Sequence, residues 1–277
     1  MSTALVNNLT GIVIAQNEAK NITACLENLS HLTERILVID NNSTDQTATL
    51  AQKAGAKVIP LDLQNFSQLR TLALRHVKTD WVFYLDADER LTPDLANEIA
   101  QMVATGAYQA GSFLRQNFFY GSKITAGGYQ RDLVTRLFLK KNLRSWQGKI
   151  HESPVYSGQA HTFLTPLLHF THRSTAENLI KSAHWTAMEA ELLAAAPQTK
   201  PVKGGTLLRK GLAEFYRRYF LQKGYRDGRT GFMEAFVQGL NRSLVYLQVW
   251  EKQLQPDLDS RYQKLEDQVK KTWPKST

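Results

Sequence analysis

The sequence lacks the features that mark secreted, membrane-spanning and disordered chains. It has a single cysteine, Cys25, among 277 residues, so no internal disulfide can form, which fits a reducing cytoplasm. No uncharged apolar run approaches the ~20 residues that cross a bilayer. The first residues show no basic region followed by an apolar core, so we expect no signal peptide. With 43% hydrophobic and 21% charged residues and no internal repeat, an ordinary globular protein is predicted.

Acidic residues are scarce in the second part of the chain. Residues 1–110 hold 8 Lys and Arg against 12 Asp and Glu, a balance of −4. Residues 111–277 hold 26 against 13, a balance of +13, and the two balances sum to the net charge of +9. A basic second part indicates an anionic partner, for which nucleic acid, anionic lipid and phosphorylated substrates are the alternatives.

The first hundred residues alternate short apolar runs with stretches of helical spacing. Four strand–helix repeats predict an α/β fold with a parallel sheet and helices on both faces. Ser43 and Thr44 are expected to cap the second helix. The predicted strands are Leu9–Ala15, Arg35–Asp40, Lys57–Leu61 and Trp81–Leu85, and the predicted helices are Asn21–Leu32, Thr44–Ala54, Phe66–His76 and one from Thr92 to about Val103.

The pattern changes after residue 110. Short strand-like runs at Gly111–Arg115, Leu133–Leu139 and Leu164–Phe170 predict a mixed extension of the sheet. From Ala176 onward the spacing is mostly helical, with the longest predicted helices at 207–223 and 232–254.

Polar residues follow three of the predicted strands. Because ligands of parallel sheets bind outside the carboxyl ends of the strands, Asn17 and Glu18, Asp40, and the Asp86-Ala87-Asp88 triplet should share one edge. Two carboxylates one residue apart can hold a divalent cation such as Mg²⁺ or Mn²⁺. The alternative for a bare pair is two surface aspartates in a turn, and the position after a fourth strand favours the site. For Glu18 the alternative is a residue that stabilises a helix start.

These segments resemble a known enzyme family. The runs IVIAQNE, VIDNNSTDQT, FSQLRTLAL and DWVFYLDADERLTP are similar to the opening of inverting family-2 glycosyltransferases with the GT-A fold, and more narrowly to bacterial lipopolysaccharide-core β-glucosyltransferases. The resemblance covers the chain from Leu9 to Leu240. It departs from the subgroup at Tyr129 and Arg131, where the acceptor-facing loop usually carries a tryptophan and a proline. The later matching segments are 127–132, 135–138, 150–152, 168–170 and 224–232.

The resemblance implies a fold and a division of the chain. The fold would be GT-A, Rossmann-like, with a mostly parallel central sheet flanked by helices and a C-terminal helical extension. Residues 1–175 would form the catalytic domain, with a nucleotide-binding half at 1–105 and an acceptor-side half at 106–175. Residues 176–277 would form the basic amphipathic helical extension.

The resemblance also implies roles at the strand ends. The donor would be a UDP-sugar, and a Mn²⁺ or Mg²⁺ ion would offset charge on the departing nucleoside diphosphate. His169 would complete the metal shell, with a satisfied core histidine as the alternative. The implied nucleotide-sugar-binding residues are Ala15, Asn17, Glu18, Asp40, Arg70, Asp86 and Ala87, and the implied metal ligands are Asp88, Asp86 and His169.

An inverting transfer needs a base that takes the proton of the acceptor hydroxyl. Glu152 is the first candidate and Asp132 the second. The alternative for Glu152 is an ion pair with Lys149 or Arg173. Asp132 could instead orient the acceptor or pair with a nearby arginine, Arg136.

The segment 207–229 combines basic and aromatic side chains. This composition suits an interface with anionic lipid, so we expect a cytoplasmic protein, peripheral on the inner face of the plasma membrane. The alternative is a solvated helix whose aromatic side packs on the catalytic domain, and both hold if the aromatics divide. No recognition motif accompanies the charge, so nucleic acid is not an expected partner.

The sequence therefore predicts a metal-dependent inverting glycosyltransferase that moves a hexose from a UDP-sugar to a hydroxyl of a glycan or lipid-linked glycan in cell-envelope polysaccharide synthesis. One alternative is a catalytically silent scaffold of the same fold that docks on membranes, for which a damaged metal motif would be expected. The other is a nucleotidyltransferase. That class needs a glycine-rich, basic loop after the first strand, which Gln16-Asn17-Glu18-Ala19 does not provide.

Overall fold

The computed structural model describes residues 5–63, 65–148 and 152–273. These residues form two compact units. The first unit contains the described residues up to 125 together with 129–173, and the second contains 126–128 and the described residues from 174 onward. The predicted functional division at residue 175 stays a prediction.

The first unit begins with the alternating strands and helices that the apolar spacing predicts. Its later part consists of longer strands and one hairpin. Single turns of 3-10 helix lie at Leu74–His76 and at Lys140–Asn142. The strands are β1 Leu9–Ala15, β2 Ile36–Asn41, β3 Lys57–Leu61, β4 Trp81–Tyr84, β5 Glu89–Arg90, β6 Ala110–Phe119, β7 Ser122–Lys123, β8 Leu133–Leu139, β9 Leu143–Gln147, β10 Ser153–Tyr156 and β11 Ala160–Thr171, and the helices are α1 Ile22–Ser30, α2 Thr47–Lys53, α3 Phe66–Ala73 and α4 Pro93–Thr105.

Within the described residues, nine strands form one mixed sheet in the order β3-β2-β1-β4-β8-β6-β11-β5, with β7 paired to β6. The pairs β3–β2, β2–β1 and β1–β4 are parallel, and so is β6–β11. The pairs β4–β8, β8–β6 and β11–β5 are antiparallel. Strands β9 and β10 pair with each other in a separate antiparallel hairpin.

Alternation along the strands divides the core of this unit between the two faces of the sheet. Val13, Val38 and Phe83 pack in one cluster with side chains of α1 and α4. Their neighbours Ile12, Leu37 and others pack in a second cluster with side chains of α3 and of the β9–β10 hairpin. The predicted α/β class, with a central sheet flanked by helices, is confirmed.

Most predicted boundaries of the first unit agree with the structure, and one prediction is wrong. Thr44 does not cap the second helix: α2 begins at Thr47, whose amide donates to the carboxylate of Asp45. The amide and hydroxyl of Thr44 instead donate to the side-chain oxygen of Asn17. Thr92 does cap α4, since its hydroxyl accepts from the amide of Leu95. The residues after β2 therefore form a loop that is tied to the loop after β1.

The second unit is helical, which confirms the predicted C-terminal extension. Helices α6 and α7 pack closely because small residues meet at their contact: a methyl group on Gly211 would lie 2.1 Å from the hydroxyl of Ser243. No helix among the described residues has the length and apolar content needed to span a membrane. The helices are α5 Thr175–Ala195, α6 Gly204–Tyr216, α7 Gly228–Lys252 and α8 Leu258–Thr272, with a π-helical turn at Arg217–Leu221 and a 3-10 turn at Gly224–Asp227 between α6 and α7.

Candidate active site

The parallel strands bring the predicted polar residues to one edge of the sheet. Ala15, the last residue of β1, pairs with Asp40 near the end of β2. On the other side of β1, the amide of Leu85 donates to the carbonyl of Ile12, just before Asp86. Asp40 at the end of β2 and Asp86 just after β4 therefore lie at the same edge of the sheet, on either side of β1, as the rule for parallel sheets predicts.

The loops that follow β1 and β2 are joined by hydrogen bonds. Asn17 lies in the left-handed region with φ 55°, and its amide donates to the hydroxyl of Ser43 over 2.9 Å. The amide of Glu18 donates to the hydroxyl of Thr47 over 2.7 Å. The carboxylate of Glu18 accepts from the side-chain amide of Asn21 over 2.6 Å. Asn17 and Glu18 therefore hold the shape of this edge, and Glu18 also bonds to Asn21, the residue before α1.

Asp40 is a buried carboxylate with an unused acceptor. Its side chain accepts a long bond of 3.4 Å from the amide of Ser43 through Oδ2. Its other oxygen, Oδ1, is buried and has no hydrogen-bond partner among the described residues. Since buried carboxylate oxygens are rarely left unsatisfied, Oδ1 of Asp40 marks a place where a ligand hydroxyl or N–H can donate.

Two arginines hold Asp86, the first aspartate of the triplet. Arg70 donates from Nη2 to Oδ1 over 2.7 Å, and Arg136 donates from Nη2 to Oδ2. Burial alone would raise the pKa of Asp86, but the charges of Arg136 and Arg70 more than offset it, so the pKa lies well below its usual range. Asp86 is therefore an ionised carboxylate whose two oxygens are both occupied.

The two arginines are themselves buried and only partly satisfied. Arg70 lies on α3, and its guanidinium lies 5.0 Å from the centre of the Trp146 ring. Arg136 lies within β8. Among the described residues, neither Nε–H group has a hydrogen-bond partner. Unpaired buried donors on cationic side chains are suited to an anionic ligand, because such a ligand would supply the missing acceptors.

A second carboxylate, Glu89, lies behind Asp86. It is fully buried and accepts from the amide of Asp86 over 3.0 Å. Its Oε1 lies 3.5 Å from Nη1 of Arg115 and 3.6 Å from Nη2 of Arg136. Arg70, Arg115 and Arg136 thus alternate with Asp86 and Glu89 in one network. Buried charges of this kind persist only when they are paired.

Asp88, the second aspartate of the triplet, faces His169. Its Oδ2 lies 3.4 Å from Nε2 of His169 on β11. Nδ1 of His169 lies 2.6 Å from Oδ1 of Asn117 on β6, which is 2% exposed. Asn117 donates from Nδ2 to Oδ2 of Asp132 over 3.0 Å. The chain Asp132–Asn117–His169–Asp88 therefore crosses from the residue before β8 to the triplet.

This chain assigns the proton on His169. Because the NH₂ group of Asn117 donates to Asp132, its oxygen must accept, and His169 must donate from Nδ1. The other ring nitrogen, Nε2, faces the carboxylate of Asp88. A carboxylate oxygen and an imidazole nitrogen that face each other can share a cation, with the remaining histidine nitrogen fixed by a second partner.

The donor set fits Mn²⁺ or Mg²⁺. Among the described residues, no group of three or more His, Cys, Asp or Glu side chains surrounds such a place. One carboxylate and one imidazole are nevertheless sufficient when substrate phosphates complete the shell, as is usual for these ions. Each oxygen of Asp86 already accepts from an arginine, which makes this carboxylate a weaker ligand for a cation.

Asp132 pairs with Arg115 and not with Arg136. Arg115 donates from Nε to Oδ2 over 2.9 Å and from Nη2 to Oδ1 over 2.8 Å, a bidentate pair. Burial raises the pKa of Asp132, but the bonds and charge of Arg115 outweigh it and lower the pKa. A carboxylate with both oxygens occupied and a lowered pKa is a weak proton acceptor.

Glu152 differs from Asp132 in that its pKa is raised. Its carboxylate is half-buried and forms no ion pair within the described part of the chain; Lys149 and His151 lie outside the described residues. Burial raises its pKa; the charges of Arg70 and Arg136 lower it, and that of Asp86 raises it. Glu152 therefore lies near the Asp86 network, and no residue of the described chain forms an ion pair with its carboxylate. A raised pKa suits a general base that must hold a proton for part of the reaction.

The two predicted alanines of the site and the single cysteine have structural roles. Ala15 and Ala87 are buried, and the carbonyl of Ala87 accepts from Arg90 over 2.7 Å. Cys25 is buried, with Sγ 3.6 Å from the carbonyl of Asp86, and burial raises its pKa to about 12. Cys25 is thus an inert, buried residue of α1.

Five residues of the site were not among the predicted ones: Glu89, Arg115, Asn117, Arg136 and Trp146. Glu89 adjoins the acidic triplet, and Arg136 lies in a matching segment of the resemblance, so a signal existed for both. Arg115 and Asn117 are two residues apart on β6 and share a face, which the sequence shows only once the strand is known to be central.

Comparisons with known proteins identify the family to which the chain belongs. Residues 10–159, more than half of the chain, match the family model of glycosyl transferase family 2. An uncharacterized glycosyltransferase of Rickettsia bellii (strain RML369-C) is 25% identical over 284 residues, which cover 97% of this chain and 95% of that protein. The lipopolysaccharide core biosynthesis glycosyltransferase LpsC of Rhizobium meliloti (strain 1021) is 25% identical over 252 residues, which cover 88% and 92%.

Among solved structures, glucosyl-3-phosphoglycerate synthase from Mycobacterium tuberculosis in complex with Mn²⁺ and UDP-glucose aligns with a TM-score of 0.34 and 20% identity. The alignment covers 41% of this chain and 44% of that one, less than half of either. The family match and the two full-length relatives confirm the resemblance of the strand-end motifs. The chain is a glycosyltransferase and belongs to glycosyl transferase family 2.

Proposed function

We propose that this glycosyltransferase moves a hexose from a UDP-sugar to a hydroxyl of a glycan or lipid-linked glycan, with inversion and with Mn²⁺ or Mg²⁺. The observation that carries the proposal is the contrast between the two aspartates of the triplet. Asp86 is neutralised by two arginines, whereas Asp88 faces Nε2 of His169. A site for an anion and a site for a cation thus lie two residues apart, which suits a diphosphate that carries its metal ion.

The donor half consists of the residues at the parallel strand ends. Asp40 would accept from the ribose or the base through its unpaired Oδ1. Arg70 and Arg136 would donate their unpaired Nε–H groups toward the diphosphate, and Asp86 would fix both guanidinium planes. Ala15, Asn17, Glu18 and Ala87 would shape the pocket through their backbone. The UDP and the hexose come from the family resemblance.

Asp88 and His169 would hold the ion, and the fit of these two side chains supports the predicted metal. When bound, the ion supplies Lewis-acid stabilisation of charge on the leaving diphosphate. Asn117 keeps the proton of His169 on Nδ1, and Asp132 keeps the amide of Asn117 in the required orientation. These two residues are positioning residues.

Glu152 would act as the base. Its carboxylate takes the proton of the acceptor hydroxyl while the acceptor oxygen bonds to the anomeric carbon, and the bond from that carbon to the diphosphate breaks with its electrons moving to the phosphate oxygen. Attack from the face opposite the diphosphate inverts the anomeric centre. Asp132, the second candidate, has both oxygens bonded to Arg115, so we assign it to the support of Asn117 instead.

The acceptor is proposed from the relatives and the charge distribution. LpsC is named for lipopolysaccharide core biosynthesis, which supports a role in cell-envelope polysaccharide synthesis. A basic C-terminal part would suit a lipid-linked acceptor and a peripheral position on the cytoplasmic face of the membrane. Tyr129 and Arg131 depart from the lipopolysaccharide-core subgroup in the acceptor-facing loop, so the acceptor can be a different glycan.

A screen of donor hydrolysis tests the proposed function without knowledge of the acceptor. Purified protein is incubated with UDP-, GDP- and dTDP-hexoses in Mn²⁺, in Mg²⁺ and in EDTA, and the nucleoside diphosphate released is measured. We expect slow release from a UDP-hexose that needs the metal ion.

Two results would overturn the proposal. Absence of nucleotide-sugar binding in every condition would favour the silent scaffold. Release of pyrophosphate from a nucleoside triphosphate in place of a nucleoside diphosphate from a sugar donor would favour the nucleotidyltransferase.

A further inference from the structure

Helices α6 and α7 of the second unit form an antiparallel hairpin with an unusual surface. The hydroxyl of Ser243 on α7 donates to the carbonyl of Leu207 at the start of α6, and Phe215 at the end of α6 packs on Phe232 near the start of α7. Phe215 also stacks on Tyr219, which contacts Phe232 as well. Phe215 and Tyr219 are half-buried and hold the two helices together, whereas Phe232 keeps part of its ring exposed.

Other apolar side chains of the hairpin are exposed and follow the helical repeat. Along α6 they recur every four residues, and along α7 every three or four, so each helix has one exposed apolar stripe. The exposed stripes are Leu208, Leu212, Tyr216 and Phe220 on α6 and the following turn, and Met233, Phe236, Leu240, Leu244 and Leu247 on α7.

The two stripes lie on the same side of the hairpin. Gly211 of α6 meets Gly239 of α7 at the helix contact, and the stripe residues Leu212 and Leu240 each follow that contact by one residue. In an antiparallel pair, equal rotations past the contact point to the same side. On the opposite side α7 packs against α5, through Val245 and Val249. The stripes therefore form one face, which we call the hairpin face.

Positive charge gathers at the turn end of the hairpin face. Arg217, Lys223, Arg226 and Arg229 are exposed there, beside the exposed side chains of Leu221 and Tyr225. The acidic residues of the helices are withdrawn: Glu214 is paired with Arg217 and Arg218, and Glu234 is buried. The face thus joins a long apolar stripe to a basic, aromatic end.

We infer that the hairpin face binds an anionic lipid surface, with the apolar stripes in the acyl boundary and the basic end at the headgroups. Leucine and aromatic side chains bordered by Lys and Arg are the composition of helices that lie in the membrane interface. A contiguous exposed apolar face of this length marks an interaction site. A second copy of the chain is a poorer partner, because its hairpin face offers no exposed carboxylate to the basic end except Glu251 at the far end of α7.

This inference widens the predicted membrane segment and changes its character. The prediction placed the contact on 207–229, whereas the apolar stripe continues along α7 to Leu247. Phe215 and Tyr219 are not part of the contact, since they pack inside the hairpin. The inference stands on the surface of the second unit alone and does not require the proposed transfer reaction.

Vesicle flotation of the full-length chain tests the apolar stripe. The probes are phosphatidylcholine vesicles with and without phosphatidylglycerol. The double variant Leu212→Glu/Leu240→Glu places charge in the middle of the face. Leu192→Glu is the matched control: Leu192 is 47% exposed on α5 and Leu240 is 46% exposed. We expect the wild type and Leu192→Glu to float with anionic vesicles, and the double variant to lose at least about tenfold in binding.

A second pair of variants tests the basic end. Arg226→Gln/Arg229→Gln removes two charges at the turn, and Lys200→Gln/Lys252→Gln removes two exposed charges at the other end of the hairpin. At about fivefold for each charge near the surface, the first pair should weaken binding to anionic vesicles well over tenfold, and the second pair far less. Circular dichroism confirms that each variant is folded.

Two outcomes would overturn the inference. Equal flotation of the wild type and Leu212→Glu/Leu240→Glu would show that the face does not meet the lipid. A wild-type dimer that fails to float, and that Leu212→Glu/Leu240→Glu converts to monomers in sedimentation, would assign the face to a second copy. Donor hydrolysis without vesicles is measured in parallel, so loss of flotation and loss of the enzymatic activity are separate results.

Discussion

The parallel and the antiparallel halves of the sheet contribute to the site in different ways. The parallel half presents Asp40 at the end of β2, and the loop after β4 presents Asp86 and Asp88. The antiparallel half presents side chains from within its strands, as Asn117 and Arg136 show. The first half supplies the oxygens that would meet the ligand, and the second supplies the charges and hydrogen bonds that hold those oxygens in place.

The two aspartates of the triplet have different partners because they lie over different strands of the antiparallel half. Asp86 contacts Arg136 from β8 and Arg70 from α3, so the sheet neutralises it. Asp88 contacts His169 from β11, which is oriented by Asn117 from β6. Two carboxylates from one loop thus receive opposite environments because different strands of the antiparallel half lie beneath them.

The largest effect is expected at Glu152, which belongs to neither half. Glu152→Gln removes the proposed base without a change in size, so transfer should fall by about 10²- to 10⁴-fold while the Kd for UDP is retained. Asp132→Asn is the comparison variant. Steady-state rates and calorimetric UDP titrations measure both, and near-normal transfer by Glu152→Gln would move the role of base elsewhere.

Glu152 also gives the wild type a pH dependence. Burial raises the pKa of Glu152 above its ordinary value of 4.5, and the base must be deprotonated to act. As pH falls, the rate should therefore begin to drop above the range in which an ordinary glutamate titrates. A rate that stays constant down to that ordinary range would contradict a raised pKa of the base.

The next effect is expected on stability when the antiparallel half loses a charge. Arg136→Met leaves Asp86 with Arg70 alone and takes one of two arginines from the buried Glu89. Removing one partner of a buried ion pair costs about 3–5 kcal/mol of unfolding free energy. Urea unfolding measures it, and a loss below ~1 kcal/mol, the value of an exposed pair, would show that the network is not strongly coupled.

Acid unfolding tests whether Arg136 keeps Asp86 ionised in the folded state. The folded-state pKa of Asp86 is lowered, so its ion pairs contribute stability above the ordinary value of 3.8, and this contribution is lost as pH falls below that value. In Arg136→Met the folded pKa should rise toward 3.8, and the loss of stability between neutral and acid pH should shrink. An unchanged slope would mean that Arg136 does not set the charge state of Asp86.

A smaller effect is expected from the residue that orients His169. Asn117→Ala removes the acceptor for Nδ1–H and frees the ring to change tautomer, and such second partners of metal ligands typically affect metal affinity by 10- to 100-fold. Electron paramagnetic resonance titration of Mn²⁺ in the presence of UDP measures the affinity. Asn142→Ala, which removes an exposed bond to Ser157, is the control. Equal Mn²⁺ affinity in both variants would remove Asn117 from the site.

The smallest effect is expected from the start of α3, which carries Arg70. The side chain of Asn65 accepts from the amide of Ser67. Asn65→Ala should cost about 1 kcal/mol of unfolding free energy, as for other N-caps, with little change in UDP binding. A large loss of UDP binding in thermally stable protein would show that α3 positions Arg70 less firmly than its burial implies.

The parallel half could be predicted from the sequence, because its signals are local. An apolar run followed by polar residues fixes both a strand and its carboxyl end, and the bounds of β1 and β3 agree with the predictions. The convergence of Asp40 and Asp86 follows from the general rule for parallel sheets. The hydrogen bond from Thr44 to Asn17 could not be predicted from the sequence, because threonine is as common in loops as at helix caps.

The antiparallel half could not be predicted to the same depth, because its contacts depend on strand register. Asn117 meets His169 only because β6 and β11 pair at that residue, 52 positions apart in the chain. Arg115 was not expected to be the partner of Asp132, since Arg136 is nearer in sequence and equally charged. A shift of one residue in either strand would turn these side chains to the opposite face.

The central claim is that Asp88, and not Asp86, holds the metal ion of the donor. Calorimetric titration of UDP in Mn²⁺ and in EDTA, on the wild type, Asp88→Ala and the exposed control Asp94→Ala, tests it most directly. We predict that Mn²⁺ strengthens UDP binding to the wild type and to Asp94→Ala, and that Asp88→Ala binds UDP equally weakly with Mn²⁺ and with EDTA. Metal-dependent UDP binding that survives Asp88→Ala would contradict the account.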